Sequence, residues 1–107
     1  MKRADEVRAE HKLDTITHYL LKAFPGGGIR SSVMSGGDSV LTVCFLTVDK
    51  TFTLHIAKGF LRDPRPAIDE IPRLFDELEL PRVLGHRGHY SLKSIPLPVM
   101  TDQTSDL

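Results

Sequence analysis

The sequence lacks most features that mark a secreted, membrane or strongly charged protein, and each absence excludes one kind of structure or class of protein. Among its 107 residues it has one cysteine, Cys44, so no internal disulfide can form. It has no apolar run long enough for a signal peptide or a membrane-spanning helix. With no disulfide framework and no targeting segment, we expect a cytoplasmic protein that does not associate with a membrane.

Charge is balanced rather than biased towards one sign. The chain carries 14 basic and 14 acidic residues, which gives a formal net charge of zero at pH 7. Overall charge therefore favours no particular partner, and the lack of self-repulsion favours self-association. The hydrophobic fraction of 40% and the charged fraction of 26% are ordinary for a soluble globular protein. The length predicts one domain over residues 1–100, followed by a disordered polar tail over residues 101–107.

What the sequence does have is two strand patterns in succession. Residues 39–48 are apolar on both faces of a strand, whereas residues 51–57 alternate between apolar and polar positions. Two glycines, Gly36 and Gly37, predict a tight hairpin turn, and the alternating residues 29–34 predict a strand before it. Three strands joined by such short turns form an antiparallel meander with the doubly apolar strand in the middle.

Helical patterns flank the meander. Apolar residues recur at spacings of three and four over residues 9–24, and Pro25 with the glycines after it ends this first helix. The elements predicted after the meander are a helix over 68–78 that Pro81 ends, a turn at 85–88 and a strand at 90–95. The predicted fold class is α+β, with two helices, a three- to four-stranded antiparallel sheet and the order α-β-β-β-α-β.

A strand that is apolar on both faces needs a cover on each side, and the predicted helices supply one. We expect them to pack on the face that carries Phe52, Leu54 and Ile56. The other face then needs a second subunit, so we predict a homodimer that packs through its sheet. The predicted interface residues are Leu41, Val43, Phe45, Phe60 and Tyr90. Two alternatives stay open: the helices lie on opposite faces, or the open face is a groove for a ligand.

His55 is the histidine whose position best suits a binding role. It lies on the more polar side of the alternating strand, and a general base there needs a carboxylate partner such as Asp49 or Asp63. A ligand site is accordingly predicted at His55, Thr53 and Arg62. No catalytic residue is assigned, and the alternative for His55 is a surface or interface histidine.

Two further motifs are weak signs of a ligand. His86 and His89 have a spacing that suits a metal ion only if other ligands converge on it, and the alternative is a solvated loop. The three glycines at 26–28 follow a helix and precede a strand, whereas a phosphate loop runs from a strand into a helix. We therefore predict no metal site and no cofactor, although metal binding by the histidine pair stays open.

Charge is segregated locally even though it cancels overall. The second predicted helix is acidic, whereas the stretch from Arg82 to Lys93 is basic, and the two patches suit charge pairing with another chain. The basic stretch, extended by Arg62 and Arg65, also suggests nucleic-acid binding, and the order helix, three strands, helix resembles the double-stranded RNA-binding domain. The resemblance stops at the second helix, which is acidic where that family presents lysines to phosphate. Nucleic acid is therefore the less favoured partner.

The same element order resembles the small dimeric chaperones of bacterial secretion systems, which hold an extended segment of a partner. The resemblance rests on element order and on no motif. It implies a homodimeric, chaperone-like protein-binding module, which is the function that we expect. The alternatives are a small-molecule binder or enzyme with a pocket around His55, and a nucleic-acid-binding domain. An enzyme is the less favoured, because no catalytic set of residues is evident.

Overall fold

Within residues 3–45 and 50–93, which the computed structural model describes, the chain forms four α-helices, a short 3₁₀ helix and one four-stranded sheet. The elements are, in chain order, α1 (Ala4–Ala23), β1 (Gly27–Val33), β2 (Ser39–Phe45), β3 (Thr51–Ile56), α2 (Lys58–Arg62), the 3₁₀ helix (Ile68–Glu70), α3 (Ile71–Glu77), α4 (Leu80–Arg87) and β4 (His89–Leu92). The predicted α+β class and the predicted order are confirmed, and the helical segment between β3 and β4 has more pieces than expected.

The sheet has the strand order β1-β2-β3-β4, and its first three strands are the predicted antiparallel meander. Strand β4 differs from the prediction, because it runs parallel to β3, with Thr53 beside His89 and Ile56 beside Leu92. A parallel partner requires a crossover connection, and α2, α3 and α4 supply it by returning the chain to the end of the sheet at which β3 began. The sheet is therefore mixed rather than purely antiparallel.

Helix α1 forms where the apolar stripe predicts it. Ile16 and Leu20, four residues apart, are fully buried in the core. The residue after the helix, Phe24, donates its backbone N–H to the Leu20 carbonyl oxygen over 2.9 Å. Pro25 cannot continue this pattern, and Gly26 takes the left-handed conformation with φ of 88°. The helix therefore stops where the proline and glycine predict.

The second helical region corrects two predictions, namely that Pro81 ends a helix and that residues 85–88 form a turn. Pro81 lies in the first turn of α4 instead of ending a helix, since a proline there lacks only an N–H that has no partner within the helix. The break between α3 and α4 lies at Glu79, which adopts a left-handed φ of 54°. The predicted turn at 85–88 is the last turn of α4, and Gly88, with φ of 84°, ends it. Helix α2 is an element that the sequence pattern does not predict.

The core lies on one face of the sheet, and all four helices contribute to it. In the register of β2 and β3, Leu41 pairs with Leu54 and Val43 pairs with Phe52, so these side chains share that face. Each fully buried aliphatic or aromatic side chain stabilises the fold by about 1.5–3 kcal/mol. The buried apolar residues are Ile16, Leu20, Leu41, Val43, Phe52, Leu54, Ile56, Phe60, Leu61, Ile71, Phe75, Leu80, Leu84 and Leu92.

This register corrects the assignment of faces. The sequence analysis predicts that the helices cover the Phe52 face and leave Leu41 and Val43 on the other, but both sets lie on the face that the helices cover. The residues of β2 that point away from the helices are Val40, Thr42 and Cys44. Alternation along a strand fixes which residues share a face, whereas the pairing of two strands depends on the turn between them.

Some predicted boundaries reach beyond the described residues. Strand β2 is described as far as Phe45, and the remaining residues predicted as strand, 46–48, lie outside the described ranges, as does Asp49. The last strand is observed at His89–Leu92, and the predicted part after residue 93 lies outside as well. The tail over residues 101–107 is also outside, so its disorder stays a prediction.

Candidate functional site

The face of the sheet opposite the helices is a broad surface that no described helix covers. The outer strands place exposed residues on it, among them Arg30 and Ser32 from β1 and Ser91 from β4. The middle of the face holds half-buried residues from β2 and β3, namely Val40, Thr42, Cys44, Thr53 and His55. We call this surface the open face. It is rich in hydroxyl and imidazole groups, with Val40 and Cys44 as its apolar centre.

His55 is held at one end of the open face by Asp38. Its Nε2 atom lies 3.1 Å from Oδ2 of Asp38, and the two side chains are 38% and 34% exposed. The second carboxylate oxygen of Asp38, Oδ1, accepts a hydrogen bond of 2.9 Å from the Lys58 backbone N–H at the start of α2. Asp38 therefore ties the start of β2 to both β3 and α2, and it orients the imidazole as the carboxylate partner of a general base does.

Two of the three residues predicted to bind a ligand come together, and the third does not. Thr53 and His55 are neighbours on the open face, two positions apart along β3. Arg62 lies in the helical layer instead, where its Nη1 is 3.3 Å from Oδ2 of Asp5. Its backbone carbonyl accepts a hydrogen bond of 2.8 Å from Arg8. Arg62 therefore joins α2 to α1 and is not placed beside His55.

The carboxylate partner of His55 is one that the sequence analysis missed. Of the two predicted acids, Asp49 lies outside the described residues, and the backbone oxygen of Asp63 accepts from Lys12 in the helical layer. Asp38 is one residue before Ser39, and Ser39 pairs with Ile56 across the β2–β3 ladder. With that register known, alternation places Asp38 on the side of His55. The sequence shows that Asp38 is present, but it does not determine the β2–β3 register that brings this acid to His55.

The residues predicted to form an interface lie in or against the core. Leu41, Val43 and Phe60 are 2% exposed or less, so they have no surface to offer a second subunit, and their assignment to an interface is corrected. Phe45 and Tyr90 are half-buried and pack against the same core. The helices already satisfy the need for a cover on this side of the sheet.

An apolar groove of about 330 Å³ lies beside β4. Phe60 and Tyr90 line it, together with Leu74 and Leu78 from the α3 region, and Leu78 is 37% exposed. A wider groove of about 700 Å³ lies between α1 and the α3–α4 region. Hydrophobic side chains line the first groove, and charged side chains such as Asp14 and Lys22 line the second.

Tyr19 supplies an ordered polar contact in the wider groove. Its hydroxyl donates a hydrogen bond of 2.7 Å to Oδ1 of Asp76, and its ring packs edge-on against Phe75 with centroids 5.1 Å apart. Burial, followed by this hydrogen bond, raises the pKa of the Tyr19 hydroxyl above its ordinary value. The phenol is therefore a neutral donor that fastens α1 to α3.

Lys12, to which the sequence analysis assigns no role, is the most deeply buried charged residue in the described part of the chain. It is 0% exposed, and its Nζ donates to the carbonyl oxygens of Phe60, Asp63 and Arg65, at 2.6, 2.8 and 3.3 Å. Burial lowers the pKa of Lys12 to about 8, and Asp63 opposes that shift while Arg8 adds to it. All three ammonium hydrogens have acceptors, so this site is a closed structural contact rather than an open binding site.

The basic stretch that suggested nucleic-acid binding is divided between two elements. Arg82 lies on α4, and its Nε donates a hydrogen bond to the carboxylate of Glu79. His86 and Arg87 lie in the last turn of α4, and Lys93 follows β4. The pairing with Glu79 offsets one of the positive charges on which the prediction depends.

No family model, curated protein or solved structure matches this chain. Among the described residues, no helix combines the length and hydrophobicity needed to cross a bilayer. His86 and His89 lie on different elements, and the described side chains contain no group of three or more histidine, cysteine or acidic residues placed to hold a metal ion.

Proposed function

We propose that this chain is a small protein-interaction module that works as a homodimer and uses its sheet as the binding structure. The observation that supports this most strongly is the one-sided cover: the four described helices lie on one face, and the open face has no cover among the described residues. A layered fold of this kind leaves one sheet surface available to another chain. The zero net charge removes a barrier to self-association.

The chemistry of the open face suits a polypeptide partner. The hydroxyls of Thr42, Thr53 and Ser91 are able to donate to and accept from the peptide groups of a partner, and the apolar centre at Val40 and Cys44 offers it a hydrophobic contact. The chaperone-like version of this function, in which an extended segment of a partner is held, fits a surface of this breadth. We place the protein in the cytoplasm. Its one cysteine, Cys44, is a free thiol at a half-buried position, which suits a reducing compartment.

The mass in solution tests the homodimer. Sedimentation equilibrium at micromolar concentration is expected to give twice the 12.0 kDa mass of one chain. The measurement is repeated at high salt, because an interface built from the sheet depends less on screening than one built from the acidic and basic patches. A mass of one chain at every concentration would overturn the proposed function.

A second candidate, a small-molecule site at His55, is favoured by the 3.1 Å contact between His55 and Asp38. A thermal-shift screen of small metabolites, run on the native protein and on His55→Ala, tests it. A compound that raises the melting temperature of the native protein and leaves His55→Ala unchanged supports a site there. Equal shifts in both proteins, or no shift in either, count against the site.

A further inference from the structure

Strand β1 is an edge of the sheet, and among the described strands it pairs only with β2. The Met34 N–H donates to the Asp38 carbonyl oxygen over 2.7 Å, so the backbone groups of Met34 point towards the β2 side. Backbone groups alternate in direction along an antiparallel strand, and Arg30 and Ser32 therefore point the same way as Met34. The residues whose N–H and C=O groups point outwards are Ile29, Ser31 and Val33.

Strand β1 and the residue after it carry the two most exposed large apolar side chains of the described residues. Val33 is 71% exposed and Met34 is 50% exposed. Val33 lies on the helix side of the sheet and lines a groove of about 210 Å³ with Ala9 and Leu13 of α1. The strand contains no proline that would block pairing. A regular edge strand with apolar side chains is a template for another strand.

We propose that a second copy of the chain supplies that strand, joined β1 to β1 in antiparallel orientation with the two-fold axis at Ser31. This inference rests on the homodimer proposed above and specifies its interface. In this register Ser31 lies opposite the partner's Ser31, and Ile29 lies opposite the partner's Val33. The outward residues of the two copies then exchange backbone hydrogen bonds, and the two sheets become one continuous sheet of eight described strands.

The side chains of the strand favour a copy of itself as the partner. Ile29 and Val33 lie two positions before and after Ser31, so the apolar pattern is the same in both directions from the axis. Both side chains are β-branched, and such residues pack well as cross-strand neighbours. Ile29 and Val33 also lie on the helix side of the sheet, so the partner's Ile29 covers the exposed Val33 beside α1.

Charge and the length of the paired segment together select this register over its nearest competitors. A two-fold axis at Arg30, the middle of β1, places Arg30 directly opposite the partner's Arg30, and like charges in that position destabilise a strand pair. An axis at Ser31 places each Arg30 opposite the partner's Ser32. An axis at Ser32 leaves only residues 31–33 of the strand paired. The axis at Ser31 therefore combines a long paired segment with separated charges and also pairs the exposed Val33, which an axis at Ile29 leaves outside an equally long segment.

Cysteine cross-linking tests the register. In a Cys44→Ser background, Ser31→Cys places two thiols across the axis, on residues whose Cα atoms are about 5.5 Å apart, which a disulfide spans. The matched control is Ser32→Cys, one residue along, whose two copies are offset by two positions along the strands and are too far apart to bridge. Under mild oxidation we expect most of Ser31→Cys to become a disulfide-linked dimer and Ser32→Cys to remain uncross-linked.

Val33→Lys provides a second test that does not depend on disulfide chemistry. Because Val33 is exposed, the fold should persist, and we expect the mass to fall from two chains to one. Ile68→Lys, which changes an exposed apolar residue on the 3₁₀ helix, is expected to leave the mass at two chains.

The outcomes separate this inference from the proposed function. A native protein that is dimeric, with no cross-link in Ser31→Cys or with a stronger one in Ser32→Cys, overturns the register and leaves the homodimer standing. A Val33→Lys variant that remains dimeric likewise overturns the β1 interface. A native protein that is monomeric overturns the homodimer, and the inference with it.

Discussion

The ammonium group of Lys12 lies 2.6 Å from the carbonyl oxygen of Phe60 and joins helix α1 to helix α2. The Nζ atom also lies 5.1 Å from the centroid of the Phe60 ring, within the range of a cation–π contact. Two further carbonyl oxygens, those of Asp63 and Arg65, complete its coordination. One side chain thus satisfies three backbone acceptors in the segment that leaves the sheet after β3.

Replacing Lys12 by methionine is expected to destabilise the protein by about 2–4 kcal/mol, because it leaves three carbonyl oxygens without their donor. Urea unfolding measures the change. Lys22→Met, on the exposed side of the same helix, is the control and should change the free energy of unfolding by less than about 0.5 kcal/mol. Equal stability of the Lys12→Met variant and the native protein would contradict a structural role for this contact.

The pH dependence of stability gives a second test of Lys12. Its pKa is lowered from 10.5 to about 8 on folding, so between these values the folded protein binds fewer protons than the unfolded chain. The contribution of Lys12 to the free energy of unfolding therefore rises with pH across that window and is constant below it. We expect the stability difference between the native protein and Lys12→Met to grow by about 1–3 kcal/mol from pH 8 to 10.5.

Subtracting the variant removes the titration of every other group that the two proteins share. The raised pKa of Tyr19 lowers stability above pH 10, and it cancels in this difference because both proteins contain it. A stability difference that stays flat or falls between pH 8 and 10.5 would contradict the lowered pKa of Lys12. Urea unfolding at half-unit pH intervals supplies the data.

Adjacent glycines at the start of β1 are expected to respond differently to alanine. A Cβ atom at Gly27 would lie 2.9 Å from Cγ1 of Val43, whereas one at Gly28 meets nothing within 4 Å. Gly27→Ala should therefore lower the free energy of unfolding by about 1–3 kcal/mol, since it overpacks the core. Gly28→Ala should be neutral or stabilise by up to about 0.5 kcal/mol. Thermal unfolding compares them, and equal effects would argue against the close approach at Gly27.

A double-mutant cycle measures the contact between Asp38 and His55. Both side chains are slightly more than a third exposed, so we expect a coupling energy of only about 0.5–1 kcal/mol. Asp38→Ala alone should cost more than His55→Ala, because it also removes the acceptor of the Lys58 N–H. Asp38→Asn, which retains an acceptor oxygen, serves as the control. Additive effects of the two alanine variants would show that the contact contributes nothing to stability.

The parts of the fold that the sequence predicts are those that local patterns determine. Alternation over β3, the apolar stripe of α1 and the turn glycines before Asp38 depend on neighbouring residues, and the helix and meander follow from them. The direction of β4 depends on a crossover of several helices, and a strand of four residues carries no sign of its direction. For this reason the sequence predicts the strand and not its parallel orientation.

The candidate site was less accessible to sequence reasoning because it depends on register. His55 and Thr53 are two positions apart, so their shared face follows from alternation. Asp38 reaches His55 only because β2 pairs with β3 in one particular register. Arg62 lies away from both residues, because the chain leaves the sheet for α2 before reaching it. The burial of Lys12 is likewise not predictable from the sequence, because a lysine in a helix is expected to face solvent unless its backbone acceptors are known.

The position of β4 has a consequence for how the chain is made. During synthesis the first three strands emerge with short connections and can pair early, whereas β4 leaves the ribosome only after α2, α3 and α4. Until then β3 is an unprotected edge, with its backbone groups available to a neighbouring nascent chain. Because the chain between β3 and β4 is long, we expect the pairing of β4 with β3 to form more slowly than the hairpin pairings. We therefore expect β4 to be the element whose timing sets the risk of misassembly on the ribosome.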